Sequence, residues 1–350
     1  MMYKSLVRVL GLYAFLLTGS LVFAGTSSRE VTFISTSDLH YREPGHAGGN
    51  HNDLNHASVE EINRIAGTAW PEKLGGDKID KPRGVLVLGD VIDDGDGLNG
   101  HRVSAEQYKL FLADFGLDGT DGLLKYPVFE GWGNHDGPPA GEEKNGFSFQ
   151  AQLRKRNQIR LEKGLISNIS TNGLHYSWDW DDVHFVQLNI YPANKQAAGV
   201  HYNPVWHDPQ GSLNFLKKDL AEKVGQSGHP VVLMSHCGFD TDWWTKQQWA
   251  NLYQTVKSYN IVLYIYGHSG TGLRDWAPPG EEKKWTCIND GQTEKGFFVI
   301  QIAGDRLRAA MRVKAGLNYT KTPGMLSHLW SGDWEWKYIL DKKISVPDRE

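Results

Sequence analysis

Five times along this chain a run of aliphatic and β-branched residues stops at an Asp, Asn or His. Val31-Thr-Phe-Ile-Ser-Thr-Ser37 ends at Asp38-Leu39-His40, Gly84-Val-Leu-Val-Leu88 ends at Gly89-Asp90, and Pro127-Val-Phe-Glu130 leads to Gly133-Asn134-His135-Asp136. Pro230-Val-Val-Leu-Met234 ends at Ser235-His236, and Ile261-Val-Leu-Tyr-Ile-Tyr266 at Gly267-His268. Short apolar runs bounded by Gly and polar residues read as buried strands. Open α/β sheets gather their sites at the carboxyl ends of such strands, so the five polar stops are expected to meet there.

The segments between the runs supply helices. The pattern predicts them over 58–68, where Ser58 and Glu61 offer a capping box, and over 105–115, 149–163, 212–224 and 245–258. Residues 173–180 and 183–190 flank Asp181-Asp182 as a hairpin, a Gly-, Pro- and Trp-containing loop runs from 191 to 210, and two closing strands are expected at 296–302 and 306–313. The polar stops are spread from Asp38 to His268, so one domain is expected over 25–350, with an extension from about 315. Residues 1–24 stand apart. Lys4 and Arg8 precede an apolar run from Val9 to Phe23, and Val22-Phe23-Ala24 forms a small-residue cleavage pattern. A cleaved signal peptide and a mature start at Gly25 are expected, hence a secreted or periplasmic protein without stable membrane insertion.

Composition narrows the partners. Against 41 acidic residues there are 37 Lys and Arg, a net charge of −4, and no basic run that would track a nucleic-acid backbone. Only Cys237 and Cys287 are present, free to pair in an oxidising compartment or to remain buried thiols. Neither composition nor pattern speaks to oligomeric state.

Carboxylate, amide and imidazole donors together suit hard to borderline divalent metals rather than a thiolate site. A single Asp or His at a strand end more often caps or hydrogen-bonds than ligates. Five in this order point to a metal centre. The series Asp38-x-His40, Gly89-Asp90-x-x-Asp93, Gly133-Asn134-His135-Asp136, His236 and Gly267-His268 resembles the calcineurin-like metallophosphoesterases. That resemblance implies a four-layer αββα sandwich, two mixed sheets flanked by helices. It also implies two divalent ions, Mn, Fe or Zn, one held by Asp38, His40 and Asp90, the other by Asp90, Asn134, His236 and His268. Asp90 would bridge them. A hydroxide shared by two such ions would be the nucleophile, since paired cations lower the pKa of water and clamp an in-line displacement. By the same resemblance His135 would protonate the leaving group, and Asp93 would orient the His135 ring.

The departures from the family pattern matter equally. Many members close the series with Gly-His-x-His, whereas Gly270 stands where the second His would be, so the first ion loses a protein ligand. The Arg that protein phosphatases carry after Asp93 is here Asp94, which disfavours that activity. No Tyr occurs at Asp93 or beside it, so a purple iron site is not expected. An acidic Asp94 at the mouth would repel a phosphomonoester dianion more than a diester monoanion, which favours diesters. A phosphomonoesterase of acid phosphatase or nucleotidase type, and a non-catalytic binder of phosphorylated ligands, are the rival readings. Trp132, Tyr202, Trp206, Trp243, Trp244, Trp276 and Trp285 lie near the site segments and offer either wall residues or a surface for a small-molecule or lipid-headgroup phosphate ester. The remaining histidines His175, His184, His201, His207 and His229 are expected to be structural, with His201 and His207 the ones best placed among them to reach substrate.

Overall fold

A computed structural model describes residues 29–46, 52–95, 103–137, 147–200, 207–291, 295–317 and 330–345. The leader, His201, Tyr202 and Trp206 lie outside these residues. In chain order the elements are β1 (Glu30–Thr36), α1 (Asn52–Arg64), β2 (Val85–Val87), α2 (Ser104–Phe115), β3 (Val128–Glu130) and α3 (Phe149–Glu162). There follow β4 (Asn168–Ile169), β5 (Tyr176–Trp180), β6 (Val183–Gln187), α4 (Ser212–Asp219), β7 (Pro230–Met234), α5 (Lys246–Val256) and β8 (Asn260–Tyr266). The chain closes with β9 (Thr271–Trp276), β10 (Trp285–Asp290), β11 (Gly296–Ala303), β12 (Arg306–Lys314) and β13 (Trp334–Lys343).

The strands form two mixed sheets, ordered β13-β12-β11-β1-β2-β3 and β4-β5-β6-β7-β8-β10-β9. In the first, β1, β2 and β3 run parallel; in the second, β6, β7, β8 and β10 do. Alternation along each strand sends side chains to two different cores. Val31 and Phe33 of β1, Leu86 of β2, and Val232 and Met234 of β7 pack in the layer between the sheets. Ile34, Val85, Val87, Val231 and Leu233 face the other way and pack with helix residues such as Val59, Ile62, Phe111, Leu216 and Leu252. Both faces of these strands are therefore covered, which is why they read as unbroken apolar runs. The sandwich of two mixed sheets flanked by helices is the fold expected from the sequence.

Some details differ from expectation. Helix α1 begins at Asn52, and Ser58 is inside it, its hydroxyl donating back to the Leu54 carbonyl, so no capping box forms there. The second strand of the hairpin stops at Gln187 rather than 190. Beyond His268, β9 and β10 were not legible as strands, and the expected extension contains β13, paired antiparallel with β12. Cys237 and Cys287 are both buried free thiols.

Candidate metal centre

The parallel strands of both sheets deliver their carboxyl ends to one place. Asp38 and His40 follow β1, Asp90 follows β2, Asn134 and His135 follow β3, His236 follows β7 and His268 follows β8. The turns that carry them are unusual. Asp38, His40, Asp90 and His268 all have positive φ, between 43° and 69°, a left-handed backbone that costs a non-glycine residue on the order of 1 kcal/mol or more. Close passage of neighbouring backbone makes glycine necessary at Gly133, where a Cβ would collide with the Asp90 carboxylate.

Each imidazole is aimed by a second contact. His236 donates from Nδ1 to the Leu88 carbonyl at 2.8 Å, which leaves Nε2 as the lone-pair nitrogen. That nitrogen lies 3.0 Å from Asn134 Oδ1, 3.2 Å from Asp90 Oδ2 and 3.2 Å from His268 Nδ1. His40 sets Nδ1 2.8 Å from Asp93 Oδ1 and presents Nε2 to Asp90 Oδ2 at 3.7 Å and Asp38 Oδ1 at 3.9 Å. The backbone N–H of His268 donates to Asp38 Oδ2, and that of His135 to Asp90 Oδ1. All six residues expected to ligate metal are thus brought together.

The donors fit two cations. Metal bonds of about 2.0–2.2 Å place donors of one shell roughly 2.8–3.6 Å apart. The contacts around His236 fall in that range, while those between His40 and its two carboxylates are slightly wider, on the side where the series lacks its final His. The field is right as well. Burial disfavours the His40 imidazolium, yet the Asp93 contact and the charges of Asp90 and Asp38 outweigh it and lift the pKa to about 10. Burial likewise opposes the His236 cation, and Asp90 with Asp38 raises it to about 9. Positive charge is what this cluster of carboxylates holds. His268, buried and beside His236, is depressed to about 3 and stays a neutral donor.

Asp93 is not placed as expected. Its carboxylate lies on His40, and on Arg42 Nε at 3.0 Å; His135 Nδ1 instead meets the Asp93 backbone carbonyl at 2.9 Å. A carbonyl only accepts, so His135 donates from Nδ1, and Nε2 is the nitrogen left for other partners. Asp94 is also not at a mouth. It is 1% exposed, and its carboxylate accepts from Gln107 Nε2. Gly270, where the second His is missing, has φ of 133°, so a side chain there would be strained.

Sequence reasoning missed Asp136. This carboxylate accepts from the N–H groups of Val91, Ile92 and Gly133, tying the turn after β2 to the turn after β3. Burial first, and Asp90 next, raise its pKa to about 8. Arg42 and His46 were missed too; their nearness to His40 in the sequence was the available signal. Of the aromatic residues near the site, Trp132, Trp244 and Trp285 are buried wall residues, and Trp243 stands edge-on to His268 with ring centroids 4.9 Å apart. His207, the described member of the pair best placed to reach substrate, stacks edge-on against Trp243 at 4.3 Å. A concavity of about 320 Å³ between β4 and α4, lined by Asn168, Asn172, Gln210 and Phe215 among others, shares no residue with this centre.

The chain belongs to the calcineurin-like phosphoesterase family, whose model matches residues 31–271. Among solved structures it is similar to GAP50, the anchor in the inner membrane complex of Plasmodium, at 13% identity and a TM-score of 0.45, over 92% of this chain and 90% of that one. It is also similar to the TT1561 protein of Thermus thermophilus, at 11% identity and a TM-score of 0.41 over 79% and 94%. A 5'-nucleotidase from Candida albicans matches at 14% identity and a TM-score of 0.36, over 78% of this chain and 47% of that one. No curated protein matches the chain. No helix of the described residues is long and apolar enough to cross a membrane.

Proposed function

We propose that the protein hydrolyses phosphate esters, with diesters ahead of monoesters, using two divalent cations at this centre. The observation that supports it most is the meeting of six donors, those around His236 at one-shell spacing, beside a histidine whose Nδ1 is already committed. Asp38, His40 and Asp90 would hold one cation, and Asp90, Asn134, His236 and His268 the other. When bound, such a pair acidifies water and polarises the phosphoryl oxygens. The residues of the chain do the rest. The Asp93 carbonyl fixes the His135 ring so that Nε2 can give a proton to the departing alkoxide. Asp136 holds the turns bearing Asp90 and Asn134 at a fixed separation.

The diester preference rests on charge. No Arg follows Asp93, and Arg42, the guanidinium that reaches this corner, is engaged with the Asp93 carboxylate. A second negative charge on a monoester would find less compensation there. Comparing bis-aryl with mono-aryl phosphate hydrolysis by the metal-loaded protein tests the order, and faster monoester turnover would reverse it. Absence of hydrolysis with both cations bound would make the protein a binder of phosphorylated ligands instead. The preferred substrate class is a small-molecule or lipid-headgroup ester. We place the protein outside the cytoplasm on the strength of residues 1–24, and N-terminal sequencing that finds Gly25 first would support this.

A further inference from the structure

Asp93 stands between two imidazoles. His40 Nδ1 is 2.8 Å from Oδ1, and on the other side His46 Nε2 is 3.4 Å from Oδ2. His40 turns its remaining nitrogen toward two carboxylates, Asp38 and Asp90. His46 does the same: its Nδ1 faces Glu43 Oε1 at 3.2 Å and Asp94 Oδ2 at 3.3 Å. The construction that builds one side of the metal centre is therefore repeated next to it, with Asp93 shared between the copies.

We propose that Glu43, His46 and Asp94 form a third cation site for a borderline divalent ion such as Zn²⁺ or Mn²⁺. The side chains of His46 and Asp94 are 4% and 1% exposed, so these charges are largely removed from water. Gln107 orients the pair of carboxylates. Its Oε1 accepts from the N–H groups of Asp93 and Asp94, which points Nε2 at Glu43 Oε2, 2.7 Å away, and at Asp94 Oδ2, 2.9 Å away. The other Glu43 oxygen, Oε1, and the Asp94 Oδ2 that Gln107 also reaches both face His46 Nδ1, at 3.2 and 3.3 Å, and one N–H cannot satisfy both. The other Asp94 oxygen, Oδ1, is buried and has no hydrogen-bond partner among the described residues. Two carboxylates and one imidazole thus converge in a corner largely removed from water, a donor set that a cation would complete. The separations match donors of one shell. An imidazole among the donors favours Zn²⁺ or Mn²⁺ over Ca²⁺ or Mg²⁺.

An ion here would be linked to the main centre through His46, the Asp93 carboxylate and His40, a relay of the kind that sets ligand orientation around a metal. The proposal does not depend on hydrolysis. Its test is the metal content of the full chain, loaded with Mn²⁺ or Zn²⁺ and exhaustively desalted. The wild type should retain one equivalent more than either Glu43→Gln or Asp94→Asn, while both variants keep the pair held by the strand ends. Asp90→Asn should lose the pair and keep the extra ion, so failure of the dinuclear reading is distinguishable from failure of this one. If Asp94→Asn does not fold, Glu43→Gln at the more exposed side chain carries the comparison. Metal content in Glu43→Gln equal to that of the wild type would overturn the proposal, and so would loss of every ion, since the ligands of the pair are untouched.

Discussion

Asp93 separates two effects that are easily confused. Its carboxylate faces His40 and its carbonyl faces His135, so Asp93→Asn changes the first contact and leaves the second in place. The variant should weaken metal retention on the order of 10- to 100-fold, as for other lost partners of a ligating His, measured by metal titration. The dependence of rate on leaving-group acidity should stay as in the wild type, and a steepened dependence would return Asp93 to the role of His135's partner. His135→Ala should do the converse, keeping metal and lowering kcat on the order of 10²–10⁴-fold, less for very acidic leaving groups. The six candidate ligands were legible as a group because each stands at or just beyond the end of an apolar run. The second contacts were not, because Leu88, Asp93 and Asp136 act through a carbonyl, a shared carboxylate and backbone amides that no sequence spacing announces. Nor does a sequence show that Asp38, His40, Asp90 and His268 take left-handed backbone.

At the scale of elements, two buried ion clusters fasten helices to the sheets. Glu130 at the end of β3 receives both Arg156 and Arg160 of α3, and although burial opposes its charge, the two guanidinium groups hold its carboxyl below the usual range. Glu130→Ala leaves two buried cations without their anion and should cost about 3–5 kcal/mol in chemical denaturation. In the second sheet, His184 sits between Asp179 and Asp219 at 2.8 Å from each. Burial lowers its pKa, but the two carboxylates overcome that and raise it to about 9. A raised imidazole stabilises the fold fully below its unfolded value of about 6.5, and the contribution fades as pH rises through the folded value. Thermal midpoints of the wild type should therefore fall between pH 6.5 and 9 relative to His184→Gln, by an amount equivalent to roughly 3 kcal/mol. Strands β1, β2, β7 and β8 were readable because both faces are covered. The start of α1 was misplaced because Ser58 and Glu61 mimic a cap while facing Lys314 and Arg312 of β12 from inside the helix. Strand β13 escaped notice because it is an edge strand whose exposed residues show no clean alternation.

For the molecule as a whole, the centre is a seam between sheets: Asp38, Asp90 and Asn134 belong to one and His236 and His268 to the other. Cations bound there stabilise the folded state by mass action. Chelation should lower the thermal midpoint and readdition of Mn²⁺ or Zn²⁺ should restore it in a concentration-dependent way, whereas Asp90→Asn should show little of either response. The class of fold was legible from the five runs, but not the pairing of β1 with β11, which joins Glu30 to Ala303. That pairing has a consequence for how the protein is made. The first strand leaves the ribosome early and waits for its second neighbour until nearly the whole chain has emerged, while Asp38 waits 230 positions for the N–H of His268. Such distant closure is slow and comes late. A product of interrupted translation that stops short of His268 holds only part of the candidate centre, so capture of a metal pair there would double as a check that synthesis has run past that point.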